Sequence, residues 1–195
     1  MEQNTILGGW SAWSFNPTKE ANKVFEESLG KLLGVKYKLV AFASQLVNGT
    51  NYAFLCEAET ATHPDSDYIV VAYVYQPIKG QPHIESIKSV GPKPAHIPGG
   101  WQNWQFTVTR KAKTIFDEAL KGWLGVNYKP LAFATQLVSG TNYCFLCDAT
   151  PSVLKPSPYP ALVWIYQPLH GAPHITEIHT IHQAPHPVME AASAQ

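Results

Sequence analysis

Charge is what this 195-residue chain has least of: Lys plus Arg number 14, Asp plus Glu number 14, the formal net charge is zero, and charged residues make up only 14%. With no positive excess, the electrostatic attraction that drives nucleic-acid and anionic-membrane binding is missing, so neither partner is expected. Apolar runs are short. None approaches the roughly 20 residues of a membrane-spanning helix, and the first residues lack the basic segment and apolar block of an export signal. Cysteine is scarce as well: Cys56, Cys144 and Cys147 cannot close a disulfide framework, which points to a reducing, cytoplasmic setting. Cys144 and Cys147 form a C-x-x-C inside a strand-like run, where positions three apart face opposite ways, so the reading is buried apolar thiols and no zinc site. What the chain does have is 45% hydrophobic and 12% aromatic residues, the composition of a packed globular protein.

The strongest positive signal is an internal repeat. Gly8-Gly9-Trp10 recurs as Gly99-Gly100-Trp101, and Gln45 to Tyr52 recurs as Gln136 to Tyr143, always offset by 91. The alignment runs without a gap from Gly8 to Ile87, with about half of the positions identical. The reading is a duplicated domain: 1–90, a Pro-rich linker 91–98, 99–187, and a tail 188–195. Each copy is long enough to be expected to fold alone.

Within each copy, Pro17 after an Asn16 cap opens an amphipathic segment whose apolar residues run from Ala21 to Leu33 and which ends at Gly34. Strand-like segments follow at 35–47, 50–58, 68–75 and 83–87, with Trp10 to Phe15 as a leading strand. One helix and four to five antiparallel strands predict an α+β fold. The aromatic residues Trp10, Trp13 and Phe15 are expected to pack that leading strand against the helix.

Gln45-Leu46-Val47-Asn48-Gly49 places two aliphatic residues beside an Asn-Gly turn, and Gln136-Leu137-Val138-Ser139-Gly140 keeps the glycine. Such a pair marks a tight hairpin. The Gln-x-Val-x-Gly pattern, the Thr-Asn-Tyr after it, the Gly8-Gly9 and Gly99-Gly100 pairs upstream and the Gln76-Pro77 and Gln167-Pro168 segments downstream resemble the cystatins, closest to the stefins. The resemblance spans nearly all of both repeats.

That resemblance implies a cystatin-like fold, one helix in a curved four- to five-stranded sheet, and inhibition of papain-like cysteine proteases, up to two per chain. It implies three contact segments per repeat. In the first they are the trunk at Leu7, Gly8 and Gly9, the hairpin from Gln45 through Leu46, Val47 and Asn48 to Gly49, and the second hairpin at Pro77 and Ile78. In the second they are Gly99 and Gly100, the hairpin from Gln136 through Leu137, Val138 and Ser139 to Gly140, and Pro168 with Leu169. The trunk of the second copy is Ile97-Pro98, tethered to the preceding domain, so the first copy is expected to be the broader inhibitor.

No cofactor or metal is implied; His179 and His182 lack a third ligand nearby. No phosphate loop, nucleophile elbow or paired-carboxylate motif marks an enzyme. The rival reading is a non-inhibitory cystatin-fold module that binds a protein or carbohydrate.

Overall fold

The computed structural model describes residues 8–60, 66–95 and 97–184. Leu7, His186 and the 188–195 tail therefore lie outside the described residues, as does most of the loop after the second strand.

Each repeat begins with one short helix. Thr18 is the true N-cap of α1 (Lys19–Ser28), its hydroxyl accepting from Ala21 N at 3.1 Å. Thr109 does the same for α2 (Arg110–Ala119), accepting from Ala112 N at 3.2 Å. The Asn16 cap is thus corrected by two residues: a threonine hydroxyl reaches the free N–H groups of the first turn, and the prolyl ring of Pro17 simply precedes it. The helix also stops sooner than its apolar spacing suggests. After α1 only a single 3₁₀ turn, Leu29–Lys31, continues the coil, and Leu33 is exposed.

The strands carry the molecule. β1 (Val35–Val47), β2 (Gly49–Thr60), β3 (Tyr68–Gln76) and β4 (His83–Val90) form one antiparallel sheet in sequence order. β5 (Val126–Val138), β6 (Gly140–Pro151), β7 (Tyr159–Gln167) and β8 (His174–Thr180) repeat it. Bulges recur at matching places, between Leu39 and Ala41 and between Pro130 and Ala132. A proline can sit in β5 because that edge strand is already irregular there.

The expected α+β, cystatin-like arrangement is overturned. Two four-stranded antiparallel sheets dominate, the two ten-residue helices are minor, and the architecture is closer to a β-sandwich. Trp10 to Phe15 is not a fifth strand, since it makes only isolated bridges, Trp10 to Gln45 and Ser14 to Phe42. The physical reason lies in the strands, which are apolar on both faces. Phe54 and Cys56 face α1, in a cluster with Val24 and Phe25. Ala53 and Leu55 face the other way, into a second buried layer. That layer also holds Ala134, Cys144 and Leu146 of the second sheet, so the two repeats cover each other's outer faces. Trp13 and Trp104 belong to it too, and not to the helix side as expected from sequence.

Cross-repeat hydrogen bonds fix how the sheets lie. Trp13 Nε1 donates to Ile181 O at 3.0 Å, just beyond β8 and far from the second repeat's hairpin tips. Two residues further from those tips, Gln183 Nε2 donates to Ser11 O at 3.0 Å. Ser11 in turn lies nearer the first repeat's tip, bonding Ser44 where Ser14 bonds Phe42. Moving away from one set of tips therefore means moving toward the other. Trp104 Nε1 mirrors Trp13 by donating to Pro92 O at 3.0 Å. The repeats are related by an approximate two-fold axis across the strands, and their hairpin tips project from opposite ends.

Candidate functional site

At each of those ends, three segments meet. The first hairpin turns at Asn48, between Val47 and its cross-strand partner Gly49. Gly49 has φ +115°, and a Cβ there would lie 2.5 Å from Gln76 O. Only glycine permits so close an approach between this turn and the end of β3. From the β3 side, the Tyr75 hydroxyl donates to Asn48 O, so the tip is held against its neighbour. Gln76 then closes the second hairpin, its Nε2 donating to Pro77 O at 2.8 Å and Gly80 O at 3.1 Å.

The glycine pair is tied to the same edge. Gln45 Nε2 donates to Gly8 O at 2.8 Å, while Gln45 Oε1 accepts from Asn51 Nδ2 at 2.9 Å. Asn51 thus orients the amide of Gln45, and that amide anchors the chain at Gly8. Val47 is 44% exposed, and Leu46 and Ile78 are more exposed still. A rigid backbone therefore presents apolar side chains to solvent, an arrangement that lowers the entropy lost when a partner covers them.

The second repeat reproduces this bond for bond. Gln136 Nε2 donates to Gly99 O at 2.8 Å and its Oε1 accepts from Asn142 at 2.9 Å. The Tyr166 hydroxyl donates to Ser139 O, and Gln167 donates to Pro168 O and Gly171 O. Gly140 has φ +114° and the same 2.5 Å limit against Gln167 O. Val138 is 42% exposed, with Leu137 and Leu169 standing further out. Ahead of Gly100 the chain closes a turn, Gly100 N donating to Ile97 O at 2.9 Å, and Ala95 N bonds Trp101 O at 2.9 Å. The second trunk is folded back on its own linker.

The structure thus brings Gly8, Gly9, the Gln45–Gly49 hairpin, Pro77 and Ile78 to one edge, and their counterparts to the other. Tyr75 was not singled out from sequence, and Asn51 and Gln76 entered only as members of the motif, without the supporting bonds they make here. Their signal was available, because Thr-Asn-Tyr and Tyr-Gln-Pro each stand in both copies.

All three cysteines are free and buried, Cys144 in the layer between sheets and Cys147 on the α2 side. Burial pushes each thiol's pKa upward, which keeps it protonated and a poor nucleophile. Among the described residues, no group of three His, Cys, Asp or Glu side chains converges as a metal shell, and no helix is long and apolar enough to cross a membrane. No protein-family model matches the sequence, and comparison with curated proteins returns no match. The likeness to cystatins rests on the motif residues alone.

Proposed function

We propose that this protein is a reversible inhibitor of papain-like cysteine proteases that plugs the active-site cleft with the apolar edge of each repeat. One observation carries the reading: in both copies the glycine pair, the Gln-x-Val-x-Gly hairpin and the Pro-containing hairpin are bonded into one stiff edge with exposed aliphatic tips. Leu46, Val47 and Ile78, or Leu137, Val138 and Leu169, supply the contacts. No covalent step is involved. The hairpin occupies the cleft above the catalytic thiolate, yet its taut one-residue turn presents no carbonyl in attack geometry, so nothing is cleaved. An edge of this kind buries on the order of 800 Å² per partner, with most of the energy in the few central apolar anchors. The three unpaired thiols fit work in a reducing, cytoplasmic compartment.

Because the two edges project from opposite ends, each has room for its own protease. The test is a titration of papain with the intact chain and with Val47→Asp, Val138→Asp and the double variant. Two proteases are expected per wild-type chain, one per single variant and none for the double. Each aspartate should weaken its own site by roughly 100-fold or more, since it buries an unpaired charge in the complex. Inhibition that survives in a folded double variant sinks the reading.

A further inference from the structure

The two-fold axis that relates the repeats emerges at the β4 and β8 side of the sandwich, and there it opens into a cavity of about 520 Å³. Its walls come in pairs that the 91-residue offset relates: Tyr73 with Trp164, and Lys88 with His179. Trp101 adds a third ring, edge-on to Trp164 at 5.3 Å between centroids. The cavity is built from both repeats and is lined by none of the hairpin residues Gln45–Gly49, Pro77 and Ile78 or their counterparts, although its wall Trp101 follows Gly100 and bridges Gln136.

Its chemistry is one-sided. Aromatic and aliphatic groups form most of the walls, with Ser89, Thr180, His179 and His182 as polar members; Lys88 stands at the rim with its ammonium 5.7 Å from the Tyr73 ring centre, and among the described residues no carboxylate lines the space. His179 is engaged by Glu177, His182 is the other imidazole of the lining, and Lys88 is the lysine at the mouth. The volume falls within the range of small-molecule sites, which are mostly apolar with a few placed polar groups. A flat ring can lie among the three aromatic walls while an acidic substituent meets the lysine. We infer that this seam cavity binds a small aromatic anion, one per chain.

The experiment uses two fluorescent probes on the full-length protein: 8-anilinonaphthalene-1-sulfonate, which is anionic, and N-phenyl-1-naphthylamine, its uncharged relative. Both are expected to bind saturably at one site per chain. Lys88→Gln, on the exposed rim, should weaken the sulfonate about tenfold, the loss of one charge-assisted contact, and leave the uncharged probe within about twofold. Val71→Phe, which fills the cavity from β3, should abolish both. If that variant does not fold by circular dichroism, the lysine variant decides alone. Sulfonate binding that is unsaturable, or unchanged in the folded variants, overturns the inference, as does an equal loss of both probes in Lys88→Gln.

Discussion

Gly49 and Gly140 show how narrowly single residues set the edge. Both have strongly positive φ, and a methyl group on either would press into a backbone carbonyl that belongs to the neighbouring hairpin. A side chain cannot move a carbonyl aside without shifting the end of β3 or β7. Gly49→Ala should therefore cost about 1–3 kcal/mol of stability and loosen papain binding at the first edge, read by denaturant unfolding together with inhibition in a Val138→Asp background. A variant as stable and as tight as its parent would show that the turn has slack the close contacts deny. Glu57 poses a different problem at the same scale. Its side chain is almost fully covered, burial raises its pKa, and the Lys38 ammonium at 2.9 Å pulls the other way without cancelling the rise. A carboxyl with a raised folded-state pKa holds its proton better folded than unfolded. Its contribution is thus fully present below the ordinary value near 4.5 and is lost as pH climbs through the raised one. Wild type should gain on Glu57→Gln when denaturant unfolding is moved from pH 7 to pH 4; a gap that narrows on acidification contradicts this.

At the scale of elements, the four strands after the helix were legible, β1 to the residue, although β4 runs three residues past Ile87 and Trp10 to Phe15 forms no strand. Val35 to Val47 stands where β-branched and aromatic residues placed it, and the Asn-Gly and Ser-Gly turns are where the hairpins close. The hairpin residues of the candidate edge were legible for the same reason, since a motif of eight consecutive positions occurs twice. What the reading missed was the second face of each sheet. β2 runs Tyr52-Ala53-Phe54-Leu55-Cys56 and β3 runs Ile69 to Val74 without a polar break, the pattern of strands covered on both sides. One helix can cover only one side. The small residues Ala41, Ala43 and Ala53, all fully buried, mark where another sheet approaches. The cover itself was not legible, because it comes from the other repeat across the sandwich and no local spacing encodes that. The second trunk belongs to this scale also. The turn at Ile97 to Gly100 folds the second trunk against Ala95, so it cannot lie along a cleft beside Val138. Protease should leave the second edge faster than the first, measured by competition after mixing with Val47→Asp and with Val138→Asp. Equal release rates would mean that the segment ahead of Gly8 adds nothing to the first edge.

For the whole molecule, the shared layer decides how the repeats respond to stress. Each sheet would expose Leu55 and Val71, or Leu146 and Leu162, if its partner unfolded; the buried indole of Trp13 would also lose its acceptor on the other repeat, Ile181 O, and that of Trp104 its acceptor just after β4, Pro92 O. An unpaired carbonyl or N–H left in that layer costs about 1–3 kcal/mol, and four large aliphatic side chains returned to water cost roughly 1.5–3 kcal/mol each. One repeat cannot unfold without charging most of that to the other, so the two should melt together although the duplication suggests two independent units. Thermal unfolding of the intact chain is expected as one transition, with calorimetric and van't Hoff enthalpies equal. Trp13→Phe keeps the ring but removes the bond to Ile181, and it should lower that single transition without splitting it. Two resolved transitions in the wild type, or a Trp13→Phe protein in which only one repeat's tryptophan signal moves, would show that the sheets are coupled too weakly to act as one body. The same coupling holds the two candidate edges at opposite ends, so under the proposed function a protease bound at one should leave the geometry of the other unchanged, and the two sites should titrate with no cooperativity.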